Sequence, residues 1–218
     1  MKKIVLILII SLFSSCKNDN YPIVQNISDR DQNIYNLIMM SSYYEKEKLK
    51  EEDFVVEYNN MVITDSTTLE NITDVLGYPI GYEDSNYGNI SNNNGYRRWQ
   101  LKYPDYSNEN LTILLLSKQE INEQGEEYHG DTYIIGIYLK NVETYRGLNL
   151  GDDITKIFEL YGEPDLIQRF LANPNYIEII YQKDCNKISI ILDESISKVK
   201  TIFIDYKMNE SVKDQKIN

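Results

Sequence analysis

Cys16 is the residue whose surroundings most clearly predict covalent chemistry. Residues 2–3 are lysines, residues 4–13 are apolar except for one serine, and two serines at 14–15 stand directly before the thiol. A charged start, an apolar run and small residues before a cleavage site are the layout of a secretory signal. A spanning helix needs about 20 apolar residues, so this shorter run is not expected to remain in the membrane. Cleavage after residue 15 leaves Cys16 at the new N-terminus.

The segment that ends at Cys16 resembles the lipobox of bacterial lipoproteins, although Phe13 stands where that motif usually has leucine. The resemblance implies a signal peptide over residues 1–15 and a diacylated Cys16, with residues 16–27 as the lipidated tether. Two or more acyl chains anchor a protein stably. We therefore expect a lipid-anchored chain in the cell membrane or the outer membrane, facing the periplasm or the exterior. The alternative is an ordinary secretory signal followed by an incidental cysteine.

Other catalytic patterns have little support in the sequence. His129 is the sole histidine, and its surroundings predict a hairpin tip, whereas a nucleophilic triad needs an imidazole base in a cleft. No phosphate-binding glycine loop occurs, and the acidic residues between 123 and 131 lack the spacing of a calcium loop. We expect no catalytic residue, no metal site and no cofactor. Because any acidic chain offers paired carboxylates, the alternative function is a carboxylate-based hydrolase acting on envelope polymers.

The charge balance narrows the class of partner. The chain has 34 acidic residues against 22 lysines and arginines, a formal net charge of −12, and loss of residues 1–15 removes two of those lysines. Nucleic acids attract basic patches, so no nucleic acid is expected as a partner. The roughly 200 residues that follow the signal suffice for one good core or two small ones.

Residues 96–103 combine side chains that are enriched at binding hot spots. The stretch contains Tyr96, Arg98, Trp99 and Tyr103, and Trp99 is the sole tryptophan of the chain. Successive side chains of a strand point to opposite faces. Trp99 is therefore either a contact residue or part of the core, and in the second case Tyr96 and Arg98 lie on the outward face. These four residues are the candidate binding residues.

A weak duplication is the most informative internal feature. Residues 67–79 and 152–164 both carry apolar residues at helical spacing and end in Gly-x-Pro. A threonine or an aspartate can cap each start. Gly77 and Gly162 can adopt a left-handed backbone at each end, where the following proline prevents continuation. Both stretches are predicted to be short helices with specified ends.

Three strand-like runs, rich in β-branched and aromatic residues, follow each predicted helix. They are residues 96–103, 111–117 and 132–140 after the first helix, and 176–182, 187–192 and 198–206 after the second. The pattern predicts an α+β fold of two tandem units, each a short helix followed by a three-stranded antiparallel meander, preceded by an N-terminal helix. Each helix is expected to cover one face of its sheet.

This arrangement resembles the domains of beta-lactamase inhibitor protein and of the SmpA/OmlA outer-membrane assembly lipoproteins. The inhibitor family carries two such units, and the assembly lipoproteins usually carry one. The resemblance covers roughly residues 61–206 and implies a fold, while it transfers no functional residue to this chain.

The sequence therefore divides into six segments. After the signal and the tether, the segments are 28–60 with the N-terminal helix and a strand, 61–144 as the first α/β unit, 145–206 as the second, and 207–218 as a disordered tail. The N-terminal helix is expected over about 28–50. We expect a membrane-anchored extracytoplasmic lipoprotein that acts as a non-catalytic protein-binding module of the cell envelope, with another envelope protein as its partner.

Overall fold

The computed structural model of the protein describes residues 32–80, 92–93, 96–173, 175–193 and 197–206. This part of the chain contains the helices α1 Gln32–Ser41, α2 Leu69–Leu76 and α3 Ile154–Tyr161, and a 3-10 helix at Glu51–Phe54. The strands are β1 Val56–Tyr58, β2 Met61–Ile63, β3 Asn92–Asn93, β4 Tyr96–Pro104, β5 Glu109–Ile121, β6 Glu127–Leu139, β7 Leu166–Arg169, β8 Tyr176–Lys183, β9 Asn186–Asp193 and β10 Lys198–Asp205.

An antiparallel sheet of eight strands dominates the described fold. Its strand order is β3-β4-β5-β6-β10-β9-β8-β7, and β1 and β2 pair separately as a small hairpin. The predicted α+β class is confirmed, and most of the antiparallel strands lie in one large sheet. The six predicted strands coincide within a few residues with β4 to β6 and β8 to β10, because alternation and turn residues marked them clearly.

The N-terminal helix is shorter than predicted. Within the described residues α1 ends at Ser41, and residues 45–50 have no regular secondary structure. The prediction of a helix to residue 50 was wrong because this stretch makes tertiary contacts instead. The backbone N–H of Glu163 donates to the carbonyl of Glu45 at 3.4 Å, and Lys46 forms a salt bridge with Asp165 at 2.6 Å. Tertiary pairing thus prevails over helix propensity.

The main core lies between the sheet and the helices. Trp99, Leu101 and Tyr103, at alternate positions of β4, are at most 3% exposed and point toward the helices. Ile157 and Phe158 of α3 belong to the same buried cluster. Full burial of a large aliphatic side chain contributes about 1.5–3 kcal/mol, so this face supplies most of the stability of the fold.

Both Gly-x-Pro segments end a helix as predicted. Gly77 and Gly162 follow α2 and α3 with φ angles of +70° and +71°, where glycine avoids the strain of a side chain. A buried tyrosine binds each turn: the hydroxyl of Tyr103 donates to the carbonyl of Gly77, and that of Tyr181 to the carbonyl of Gly162, both at 2.9 Å. The N-cap residues are Thr68, whose hydroxyl oxygen accepts from the backbone N–H of Asn71 at 3.1 Å, and Asp153, whose side chain makes no capping hydrogen bond.

The strand pairing shifts register at four places in the sheet, and two of these β-bulges add an extra residue to β6 and to β10. Between β5 and β6 the register shifts at Leu114/Leu115, and Ile135 has no partner in the pairing. Between β9 and β10 the register shifts at Val199/Thr201, and Lys200 is passed over. A bulge redirects the side chain of the extra residue, so Ile135 and Lys200 escape the strict alternation of their strands.

A buried ion pair joins the segment before β1 to the loop before α3. Arg146 contacts both carboxylate oxygens of Asp53, with Nε–Oδ1 at 2.5 Å and Nη2–Oδ2 at 2.7 Å, and Asp53 is 1% exposed. The same guanidinium donates to the carbonyls of Leu160 and Lys48 and lies 5.1 Å from the ring centroid of Tyr161. Because the charge is paired and the remaining donors are satisfied, its burial is tolerated.

Substitution of the two turn glycines tests how tightly α3 contacts the N-terminal segment. A Cβ at Gly162 would lie 2.0 Å from the carbonyl oxygen of Glu45, whereas one at Gly77 meets no atom within 4 Å. Gly77→Ala is expected to lower the free energy of unfolding by about 1 kcal/mol through backbone strain alone. Gly162→Ala is expected to cost about 3 kcal/mol or more because it adds a backbone clash. Equal losses in urea unfolding would contradict this contact.

Candidate functional site

The face of the sheet that points away from the helices is the candidate functional site, and we call it the outer face. It consists of those residues of β4 to β6 and of β8 to β10 whose side chains alternate with the core-facing ones. Its principal members are Tyr96, Arg98, Gln100, Leu114, Leu116, Tyr133, Ile135, Tyr138, Tyr176, Glu178, Lys187, Ser189, Ile191, Phe203 and Asp205. A solvent-facing sheet surface usually carries polar residues, so this share of apolar and aromatic side chains is unusual.

The four predicted binding residues lie on opposite faces of β4. Trp99 and Tyr103 are 3% and 2% exposed, so both belong to the core, which for Trp99 is the second of the two alternatives left open by the sequence. The indole Nε1 of Trp99 donates to Ser117 at 2.7 Å, which satisfies its polar atom inside the core. Tyr96 and Arg98 lie on the outer face, as the alternation of the strand required.

Tyr96 and Arg98 differ in accessibility on the outer face. Tyr96 is 6% exposed and forms a small second cluster with Leu116, against which Tyr133 and Ile135 pack. Arg98 is exposed, and no described carboxylate forms an ion pair with its guanidinium. Of the four predicted residues, Arg98 is therefore available for direct contact with a ligand.

A shallow depression of about 340 Å³ lies beside Arg98. Its lining residues are Arg98, Trp99, Gln100, Leu114, Ile135 and Tyr138. The bulge at Ile135 directs an additional aliphatic side chain to this position. A mostly apolar depression with a few polar groups at its rim is the usual form of a binding site.

A stacked aromatic pair crosses the centre of the outer face. Tyr138 of β6 and Phe203 of β10 are register partners, and their ring centroids lie 4.3 Å apart. The space for the Phe203 ring depends on Gly136, since a Cβ there would lie 2.5 Å from Phe203 Cζ. The pair therefore forms an aromatic contact between β6 and β10 on the outer face.

Asp205 is a carboxyl group of the outer face whose pKa is shifted in the folded protein. Burial raises the pKa of its carboxyl above the ordinary value, although Lys187 at 3.1 Å and the nearby charge of Arg98 act in the opposite direction. The folded protein therefore destabilises the ionised form of Asp205 at neutral pH. Perturbed groups of this kind are concentrated at functional sites, although structural ion pairs also produce them.

Lys200 of β10 and Tyr176 of β8 contact each other on the outer face. The ammonium of Lys200 donates to the hydroxyl of Tyr176 at 2.5 Å and lies 4.4 Å from its ring centroid. Hydrogen bonding to Tyr176 raises the pKa of Lys200.

The residues for which the sequence suggested other chemistry are not among the principal members of the outer face. Cys16 lies outside the described residues, and so do the signal, the tether and the tail. His129 lies in β6, in the long β5–β6 hairpin, rather than in a turn. In the described ranges, no group of three or more His, Cys, Asp or Glu residues could hold a metal ion. No helix among the described residues is long and apolar enough to cross a membrane.

Sequence reasoning missed most residues of the depression. Leu114 and Ile135 read as core residues because their strands are apolar on both faces. Tyr138 lines the depression, whereas Phe203 and Asp205 lie on β10 outside its lining. These strands are distant in sequence, and only the pairing of β6 with β10 brings the three residues together. The one usable signal was the coincidence of apolar residues at both even and odd positions of 111–117 and 132–140.

Solved structures that are similar to this chain at low identity include two bacterial proteins. The YjgB protein of Bacillus subtilis, described as a DUF4309 family protein, has a TM-score of 0.39 and 10% identity over 83% of this chain and 100% of that chain. SAV1118 of Staphylococcus aureus, described as a cysteine-rich secretory protein, has a TM-score of 0.34 and 13% identity over 64% of this chain and 44% of that chain. No family model and no curated protein matches the chain. Neither likeness is strong enough to assign a family.

Replacement of Asp205 by asparagine tests whether the ionised carboxylate of Asp205 destabilises the folded protein. Because the pKa of Asp205 is raised in the folded state, stability should fall as pH rises through that pKa. Asp205→Asn is therefore expected to increase the free energy of unfolding at pH 7, and this gain should vanish below the ordinary pKa of an aspartate. Urea unfolding at several pH values measures both effects. The exposed Asp74 provides the control Asp74→Asn, and an equal gain there would contradict the assignment.

Proposed function

We propose that this protein is a lipid-anchored extracytoplasmic protein of a bacterial envelope that binds another protein through its outer face without catalysis. The observation that carries the proposal is an exposed cation beside an apolar depression on a rigid sheet. Leu114, Ile135 and Tyr138 are only half-buried in that depression, so they offer apolar area to a partner. Aromatic and arginine side chains around a desolvated centre are typical of binding hot spots.

The sheet itself is proposed to consist of two units of a short helix followed by a three-stranded antiparallel meander. In each unit the first meander strand donates a tyrosine hydroxyl to the glycine that ends the helix, Tyr103 to Gly77 and Tyr181 to Gly162. The bulges also support the division, because each lies between the second and third strand of its unit. Antiparallel pairing of β6 with β10 relates such units by an approximate two-fold axis.

The register between β6 and β10 agrees with such an axis. Ile202 pairs with Leu139 and Ile204 pairs with Ile137, so the two pairs exchange under a two-fold rotation. The axis then passes through the stacked pair of Tyr138 and Phe203. The outer face is therefore one continuous surface with two related halves rather than two separate domains.

The carboxylates of the outer face support binding more than hydrolysis. Asp205 contacts Lys187 at 3.1 Å, and Glu178 accepts from the amide of Gln168 at 2.9 Å. A carboxylate hydrolase needs two carboxyl groups that face one substrate bond. Cationic and amide partners neutralise or orient these carboxylates, which suits a recognition surface.

The lipid anchor is tested by the fate of Cys16. Expression of the full chain in a bacterial host is expected to give a product that lacks residues 1–15, carries acyl mass on Cys16 and enters the detergent phase. Cys16→Ala should lose all three properties, while Cys185→Ala should keep them, because Cys185 is the other of the two cysteines and follows no signal. Intact mass and non-reducing peptide maps measure the outcome. An unacylated Cys16 joined to Cys185 by a disulfide would refute the anchor.

Site-specific photo-crosslinking in the native host tests the binding surface. A photoreactive residue at Gln100 or Tyr138 is expected to capture one discrete envelope protein, because both side chains line the depression. The matched control is Val75 of α2, which is 59% exposed on the helix side of the sheet. Adducts of equal yield from Val75, or none from either outer-face position, would contradict the proposal.

A further inference from the structure

The two proposed units allow the halves of the outer face to be compared residue by residue. Tyr103 and Tyr181 are equivalent because each donates to the glycine that ends its helix. Counting the same number of residues back along β4 and β8 makes Arg98 equivalent to Tyr176. The bulges make Ile135 equivalent to Lys200.

In one half the side chains at these equivalent positions contact each other, and in the other half they border a depression. In the second half Lys200 reaches over Tyr176, with its ammonium 4.4 Å from the ring centroid, and the two side chains satisfy each other. In the first half Arg98 and Ile135 cannot form such a contact, and they border the depression instead. The depression is therefore a place where the fold itself supports a contact between a cation and a partner group.

The charges around the depression specify the kind of group that would complete it. Arg98 is exposed, and among the described residues no carboxylate forms an ion pair with it. The charge of Arg98 acts on the described carboxylate of Asp205, which is itself engaged with Lys187 at 3.1 Å. Lys102, on the same strand, already pairs with Glu109. A guanidinium with an apolar floor favours a planar anion whose neighbouring atoms are apolar.

We propose that the depression receives an acidic side chain of the partner protein, with the carboxylate on the guanidinium of Arg98 and an adjacent aliphatic side chain on Leu114, Ile135 and Tyr138. This inference rests on the proposed function and names the chemistry of the partner at that same site. Gln100 lies at the rim, where its amide can orient the carboxylate or a backbone group of the partner. Arg98 supplies specificity for charge, and the apolar floor supplies area.

A pair of peptides that differ only in charge tests the inference. The probes are acetylated and amidated Ala-Leu-Glu-Leu-Ala and its glutamine counterpart, titrated into the methyl-labelled full chain in nanodiscs. The Glu peptide is expected to bind roughly threefold to tenfold more tightly than the Gln peptide, as for a partly desolvated charge-assisted hydrogen bond. Both should shift the methyl signals of Leu114 and Ile135. Arg98→Gln should abolish the preference, and Arg98→Glu should reverse it toward a lysine peptide.

The control Lys156→Gln changes a cation of α3 on the opposite side of the sheet and should leave the preference intact. Equal affinity of the two peptides for the wild type would overturn the carboxylate assignment, and so would methyl shifts confined to residues outside the depression. The absence of methyl shifts with either peptide would also overturn it. Crosslinking from Gln100 that succeeds while the charge preference is absent would leave the proposed function standing without this inference. Failure of crosslinking would instead count against the function itself.

Discussion

The antiparallel pairing of β6 with β10 is the constraint on which the rest of the structure depends. Four register pairs join these strands and turn two sets of neighbouring strands into one continuous sheet. Without this pairing each set would expose the edge of a central apolar strand, which is an aggregation hazard. The stacked rings of Tyr138 and Phe203 stabilise the junction on one face, while Ile137, Leu139 and Ile202 are buried on the other.

The junction also explains why the outer face differs from an ordinary solvent face. Gly136 leaves room for the Phe203 ring, so an aromatic side chain lies flat on the sheet beside Asp205. Burial raises the pKa of that carboxyl, which makes its ionised form costly. Lys187 and Arg98, which borders the depression, act on the same carboxyl in the opposite direction.

Local sequence signals predicted much of the fold, but they predicted few residues of the candidate site. Gly77 and Gly162 with their prolines marked both helix ends, because positive φ and a missing N–H have local consequences. The alternation in 96–103 correctly separated Arg98 from Trp99. It could not decide which face was the core, and the hot-spot composition favoured Trp99 and Tyr103, which are buried. Ile135 joined the site through a bulge, and the closeness of Phe203 and Asp205 to it follows from strand pairing, which single-sequence periodicity does not encode.

Under the proposed N-terminal anchor, Arg146 would have a mechanical consequence. α1 packs against β7, and the segment 44–54 that follows α1 is held by Arg146 at the carbonyl of Lys48 and at both oxygens of Asp53. The same guanidinium is fixed to the end of α3 through the carbonyl of Leu160. A pull on the proposed anchor would therefore load these hydrogen bonds together with the packing of α1 before it reached the central strands. The outer face lies on the opposite side of the sheet from this attachment, so the proposed binding surface would be spared the load.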